Sequence, residues 1–227
     1  MELTKKPTPK STLIFGAAGH IGRPLAEYLT REAPDIPTFA CRQKHRKVEN
    51  TAEQVSRGRV LAADYEDLSS FAAAVKGVEG VFVISSSGMS ENVAITNLTT
   101  VLKQDGSAVQ VIRLLERILD GSGLPVTYIN CGASIIDNLW LQIQPVLLNK
   151  TFICTEHRVP FLDPQDIAEV AGHLSLSDNA KHIGAFHTMN NGHNWLTYEE
   201  VAGILGDELG ERLPLTEAMG LHGVLGP

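Results

Sequence analysis

Gly16, Gly19 and Gly22 stand three residues apart, between a short apolar run and an amphipathic stretch. Glycine reaches backbone angles closed to residues with a Cβ. Such a triplet can bend the chain into a tight turn whose N–H groups converge on an anion. Leu13-Ile14-Phe15 before it reads as a strand covered on both faces. Ile21, Leu25, Tyr28 and Leu29 after it restore helical periodicity. A helix opening at such a turn presents unpaired N–H groups and about half a positive charge. The chemistry this suits is pyrophosphate binding. Gly16 makes the turn, Gly19 admits the phosphates close to the backbone, and Gly22 lets the helix lie on its strand. Ala18, His20 and Ile21 complete the loop. The spacing is G-x-x-G-x-x-G, not the G-x-G-x-x-G of most dinucleotide folds.

A second group follows the next strand, read over residues 38–41. An Asp or Glu at that strand's end would hold a ribose 2′-hydroxyl and favour NAD. This chain has none there. It has Arg42, Lys44, His45, Arg46 and Lys47. A doubly charged 2′-phosphate suits this cluster, and Arg42 is the residue for a planar, bidentate contact. A solvated basic loop is the plain alternative. Asp64, after a third strand over 60–63, is either an adenine neighbour or a turn residue capping the next helix. Ser85 and Ser86 follow a fourth strand over 80–84. They can meet the nicotinamide half of a cofactor or simply make a Ser/Gly loop.

Catalytic groups are fewer. Tyr28, Tyr65, Tyr128 and Tyr198 have no lysine four residues on, so the usual Tyr-x-x-x-Lys proton-transfer pair is missing. Ser86 and, more weakly, Tyr128 are the candidate proton donors. His173, His182, His187 and His193 lack metal-ligand spacing and read as structural. No metal is expected.

The elements that must place these residues alternate. Further strands are expected over 108–112 and 124–129, with a helix over 113–119 between them. Six strand–helix repeats predict an α/β fold with a doubly wound parallel sheet, order 3-2-1-4-5-6. The expected organisation is a flexible N-terminus (1–10), a dinucleotide-binding domain (11–130), a small α+β substrate lobe (131–212) and a loose tail (213–227). Within the lobe, Asp163-Pro164 should open a helix. Thr197 to Glu200 should form a capping box. A strand is expected over 185–189.

Composition fits this reading. The chain has 227 residues, 43% hydrophobic and 20% charged, with net charge −7. A negative surface does not invite nucleic acid. No run has membrane-spanning length and no signal-peptide core precedes the fold, so a cytoplasmic protein is expected. Cys41, Cys131 and Cys154 are odd in number and far apart. They read as small buried hydrophobes.

Several segments together resemble the NmrA-like family of atypical short-chain dehydrogenase/reductases, in a shortened form. They are residues 13–22, 63–67, 75–82, 122–128, 136–139 and 160–170, spanning most of 12–210. The resemblance implies a Rossmann fold with Gly16, Gly19, His20, Ile21 and Gly22 on the pyrophosphate and Arg42 on the 2′-phosphate. It places Asp64 by the adenine, and Ser85 and Ser86 by the nicotinamide ribose. Asn138 would line the substrate pocket. The implied cofactor is NADP, with NADPH preferred over NADH. The implied function is hydride transfer to a small aromatic or polycyclic secondary metabolite bearing a carbonyl, quinone or conjugated double bond. Two departures stand out: the family's segment after strand five is missing, and Asn130-Cys131 replaces an arginine-proline after strand six. They leave a rival reading, a catalytically inactive NADP-binding redox sensor that acts through a protein partner.

Overall fold

Leu13, Ile14 and Phe15 are each fully buried, as a strand covered on both faces requires. They lie in β1 (Thr12–Phe15), the middle of the sheet. The computed structural model describes residues 4–43, 59–63, 67–84, 91–114, 119–131, 136–155, 157–190, 192–193 and 195–216. The chain divides into two units: Met1–Cys131 with Pro164–Met189, and Gly132–Asp163 with Asn190–Pro227.

In the first unit β1 is followed by α1 (Gly22–Glu32), β2 (Thr38–Gln43), β3 (Arg59–Ala63), α2 (Leu68–Val75) and β4 (Gly80–Val83). Then come α3 (Glu91–Asp105), β5 (Gln110–Leu114) and β6 (Val126–Asn130). The strands are parallel, in the order β3-β2-β1-β4-β5-β6 with β9 (Phe186–Thr188) added at the edge. The doubly wound sheet read from the sequence is therefore present, one strand wider.

The pleat divides the core. Leu13, Phe15, Val81, Val83 and Val111 join Phe71, Ala74 and Val75 of α2 and Ile95, Leu98 and Leu102 of α3 in one apolar cluster. Phe15 and Phe71 meet edge to face at 5.3 Å. The other face is marked by Gln110, whose side-chain amide donates to the Leu174 carbonyl at 2.7 Å. Leu174 belongs to α5 (Pro164–Leu176), which packs against α1.

Residues 164–189 were expected in the lobe, yet α5 and β9 complete the first unit. The reason is pairing. Phe186, His187 and Thr188 sit in register with Tyr128, Ile129 and Asn130. The expected helix over 113–119 is also corrected at its start. Arg113 and Leu114 continue β5, paired with Tyr128 and Ile129 of β6. Strand partners on both sides override local helical preference. Residues 115–118 lie outside the described residues.

The N-terminal stretch expected to be flexible is fastened at several points. Lys5 bridges Asn179, the Lys6 N–H donates to the Asp178 carbonyl at 2.7 Å, and Lys10 N–H donates to Glu79 at 2.8 Å.

The second unit holds a 3-10 helix (Ile136–Gln142) running into α4 (Ile143–Asn149), then β7 (Phe152–Ile153) and β8 (Arg158–Pro160). It continues with β10 (Trp195–Thr197), α6 (Tyr198–Leu209) and β11 (Leu215–Thr216). Its core gathers Val146, Phe152, Val159, Phe161, Val201, Ala202 and Leu213. The expected capping box is formed: Glu200 N–H donates to Thr197 Oγ1 at 3.0 Å and Thr197 N–H to Glu200 Oε2 at 2.7 Å. Part of the expected loose tail is structured too, because β11 pairs with β7. Residues 217–227 lie outside the described residues.

Candidate functional site

The turn after β1 is built as its glycines demand. Gly16 has φ +76°, in the region that a side chain resists. A Cβ there would also stand 2.7 Å from Ile84 Cγ2. Gly19 N–H donates to the Gly16 carbonyl at 2.8 Å, closing the loop. A Cβ on Gly22 would overlap the Gly16 carbonyl oxygen and come within 2.9 Å of Ala17 Cα. The first turn of α1 is thus pressed onto the end of β1 at zero side-chain thickness.

The loop has an inner and an outer side. Ala17 and Ile21 are buried, anchoring it, while Ala18, Gly19 and His20 are exposed. Ile21 is the residue before α1 and provides no side-chain cap, and the first turn of α1 carries no acidic residue. A carboxylate there would compete with an incoming anion. An open backbone loop ahead of an uncapped, acid-free helix start suits a pyrophosphate.

The basic position is placed by the backbone. β2 runs two residues beyond the expected end, to Gln43, so Arg42 lies within the strand, in register with Ala62 of β3. That is the carboxyl end of β2, the strand next to the edge strand β3. Lys44 to Lys47, Asp64, Ser85 and Ser86 lie outside the described residues. Ile84, just before Ser85, is the residue whose side chain a Cβ on Gly16 would meet. The capping alternative for Asp64 is corrected, because the N-cap of α2 is Asp67. Its carboxylate accepts from Ser69 N–H at 3.0 Å and Ser70 N–H at 3.3 Å.

Tyr128 is 2% exposed and belongs to the apolar cluster of the first unit, its ring 6.2 Å from that of Phe186. It is a packing residue in this structure. Asn138 lies in the 3-10 helix of the second unit. The histidines are less scattered in space than in sequence. His182 Nδ1 lies 3.3 Å from His187 Nε2, and His173 lies 3.3 Å from the Tyr28 hydroxyl. Burial pushes His182 toward its neutral form, helped by His187 and Lys6. Among the described residues no group of three or more His, Cys, Asp or Glu could hold a metal.

Sequence reasoning missed Arg113. Its side chain is fully buried, one residue before the end of β5 and in register with Val83 and Tyr128. A guanidinium withdrawn from water needs acceptors around it. The only sequence signal was its place inside an otherwise apolar run, which read as a strand giving way to a helix.

Strand order and cradle together define a Rossmann-type α/β fold. Residues 16–121 match the family model described as NAD(P)H-binding. No curated protein matches the chain in sequence.

Solved structures extend the likeness to the whole fold. A quinone oxidoreductase from Escherichia coli, complexed with NADPH, is 22% identical with TM-score 0.74 over 91% of this chain and 78% of its own. A nucleoside-diphosphate-sugar epimerase from Staphylococcus aureus is 19% identical, TM-score 0.73, over 92% and 80%. A triphenylmethane reductase from Citrobacter sp., complexed with NADP(H), is 15% identical, TM-score 0.73, over 92% and 79%. At these identities the likeness is one of fold. No helix among the described residues is long and apolar enough to cross a membrane.

Proposed function

We propose that this chain is an NADP(H)-dependent oxidoreductase. It passes a hydride to a small aromatic or polycyclic secondary metabolite bearing a carbonyl, a quinone or a conjugated double bond. The observation that carries the reading is the turn at Gly16–Gly22, with no room for a side chain at Gly16 or Gly22, ending at an uncapped helix start. Fold relatives that are quinone and triphenylmethane reductases support the substrate class.

The nicotinamide would supply the hydride, and the protein supplies binding and orientation. The cradle takes the pyrophosphate on backbone N–H groups. Arg42, at the carboxyl end of β2 with no acid in that strand, takes the 2′-phosphate and sets the preference for NADPH. Asp64 stands by the adenine and Ser85 by the ribose. Ser86 or a water gives the proton. With Tyr128 packed in the core, the reaction suits substrates that carry their own electron sink. Asn138 contributes to substrate binding, and the setting is cytoplasmic.

One observation favours a second reading. Only residues 115–125 join the parallel neighbours β5 and β6, below the dozen or more usual for a crossover with a helix. A missing pocket wall would leave an NADP-binding redox sensor that signals to a protein partner. Titration with NADPH and NADH, then a panel of quinones and enones, tests both. NADPH oxidation by any panel member supports the reductase. Tight NADPH binding without turnover supports the sensor. Absence of binding to either nucleotide overturns both.

A further inference from the structure

His182 and His187 meet across the turn that leads into the edge strand. His182 ends a 3-10 turn (Ala180–His182), and His187 is the middle residue of β9. Their ring centroids are 5.2 Å apart, with His182 Nδ1 3.3 Å from His187 Nε2. Two ring nitrogens facing each other at that distance share one proton: one donates and the other accepts. At least one ring is therefore neutral whenever the contact is made. Both residues are half-buried.

A third cationic group belongs to the same cluster. Lys6 is 5% exposed, and its Nζ is shut off from solvent with no hydrogen-bond partner among the described residues. Burial first, then His187 and Lys6, disfavour a proton on His182. Asp178 acts on Lys6, but its carboxylate is engaged by Lys5 Nζ at 2.8 Å in an exposed ion pair. From β6 the neighbour is uncharged: the Thr127 hydroxyl donates to the His182 carbonyl at 2.8 Å. Lys181, beside His182 in the chain, is exposed and adds positive charge.

The cluster sits where three segments are tied together. Lys6 N–H donates to the Asp178 carbonyl at 2.7 Å, and Ala180 N–H to the Thr4 carbonyl at 3.0 Å. Gly184 N–H donates to the Val126 carbonyl at 2.6 Å and Met189 N–H to the Asn130 carbonyl at 2.8 Å, so β9 is held to β6 at both its ends.

We propose that His182, His187 and Lys6 form an acid-release clasp on the N-terminal strap and the edge strand β9. With a neutral imidazole in the pair the clasp is closed; with both imidazoles charged it opens. A doubly protonated pair has no acceptor, and it brings two like charges into contact beside a buried ammonium. Once released, each imidazole takes its proton in water. The sign follows. Holding His182 neutral contributes stability to the closed form above the ordinary 6.5, and that contribution is lost as pH falls below it. One proton refused by the closed form favours opening about tenfold for each pH unit below that value.

Amide hydrogen exchange of the full chain, expressed as protection factors at about pH 7.5 and about pH 5.5, tests this. Factors for Lys6, Ala180, Gly184 and Met189 should fall about tenfold at the lower pH. Those for Ile14 in β1 and Phe82 in β4 should stay within about twofold, because the central strands do not depend on the clasp. His187→Gln keeps a polar neighbour for His182 but takes no proton, so the fall at the four positions should shrink below about threefold. His182→Gln, with His187 retained, should behave alike. Steady factors at the four positions of the wild-type chain overturn the proposal. So does an equal fall at Ile14 and Phe82, or a full tenfold fall in both variants.

Discussion

Gly22 rests on the carbonyl of Gly16: a Cβ at the helix start would overlap that oxygen and lie 2.7 Å from its carbon. Six residues apart in sequence, these two glycines hold the end of β1 and the start of α1 at backbone-to-backbone distance. Everything the chain could do with a dinucleotide depends on that closeness, because the exposed loop Ala18-Gly19-His20 is held between them.

Gly22→Ala should therefore damage both stability and binding. Every neighbouring atom is backbone, so the helix start must move. Overpacking of this kind costs about 1–3 kcal/mol. The variant should melt at lower temperature and bind NADPH at least tenfold more weakly. Calorimetric titration beside a thermal melt checks both, and an alanine variant with unchanged affinity would contradict the cradle.

Arg42→Ala should weaken NADPH by roughly 10- to 100-fold, in line with about 1.5–3 kcal/mol for a hydrogen bond to a charged group, and leave NADH within twofold. Arg42→Lys should restore only part of the loss, since an ammonium lacks the guanidinium fork. Fluorescence titration with the two nucleotides gives the ratio. Equal losses for NADPH and NADH would remove the residue from its proposed role.

Two further glycines make a matched pair. A Cβ at Gly172 in α5 would run into the ring of Tyr28 in α1, within 3.0 Å of Cγ even at the ring's near end. At Gly203 in α6 it would meet nothing within 4 Å. Gly172→Ala should lower stability by about 1–3 kcal/mol. Gly203→Ala should raise it by about 0.5–1 kcal/mol, through lost freedom of the unfolded chain. Denaturant unfolding of the two variants should give opposite signs.

The buried thiols make alkaline stability pH-dependent. Burial pushes Cys41 and Cys131 each up to about 12, from an ordinary 9.0. Below pH 9 both states keep their protons and nothing changes. Between 9 and 12 the unfolded chain loses thiol protons that the folded chain retains, so stability falls as pH rises. At pH 10 the loss is on the order of 1 kcal/mol per thiol. Cys41→Ala with Cys131→Ala should flatten that slope above pH 9. In native protein at pH 8, the half-buried Cys154 should react with a disulfide reagent well before the other two.

Local pattern was enough for the central sheet and the cradle. Leu13 to Phe15, the glycine triplet and the restored helical period are neighbours in the chain, and their roles follow from backbone angles and burial periodicity. The cap at Thr197 was equally local, because the capping box is a four-residue device. What sequence could not reach were contacts made by distant segments. The edge place of β9 depends on Tyr128 and Phe186 meeting across 58 positions. The extension of β5 through Arg113, and that residue's complete burial, depend on strands lying on either side. The pairing of β11 with β7 likewise emerges only after folding. Short-range steric rules are written in each residue's own backbone, whereas strand partnership and burial belong to whichever remote surface arrives, and only the tertiary structure decides that.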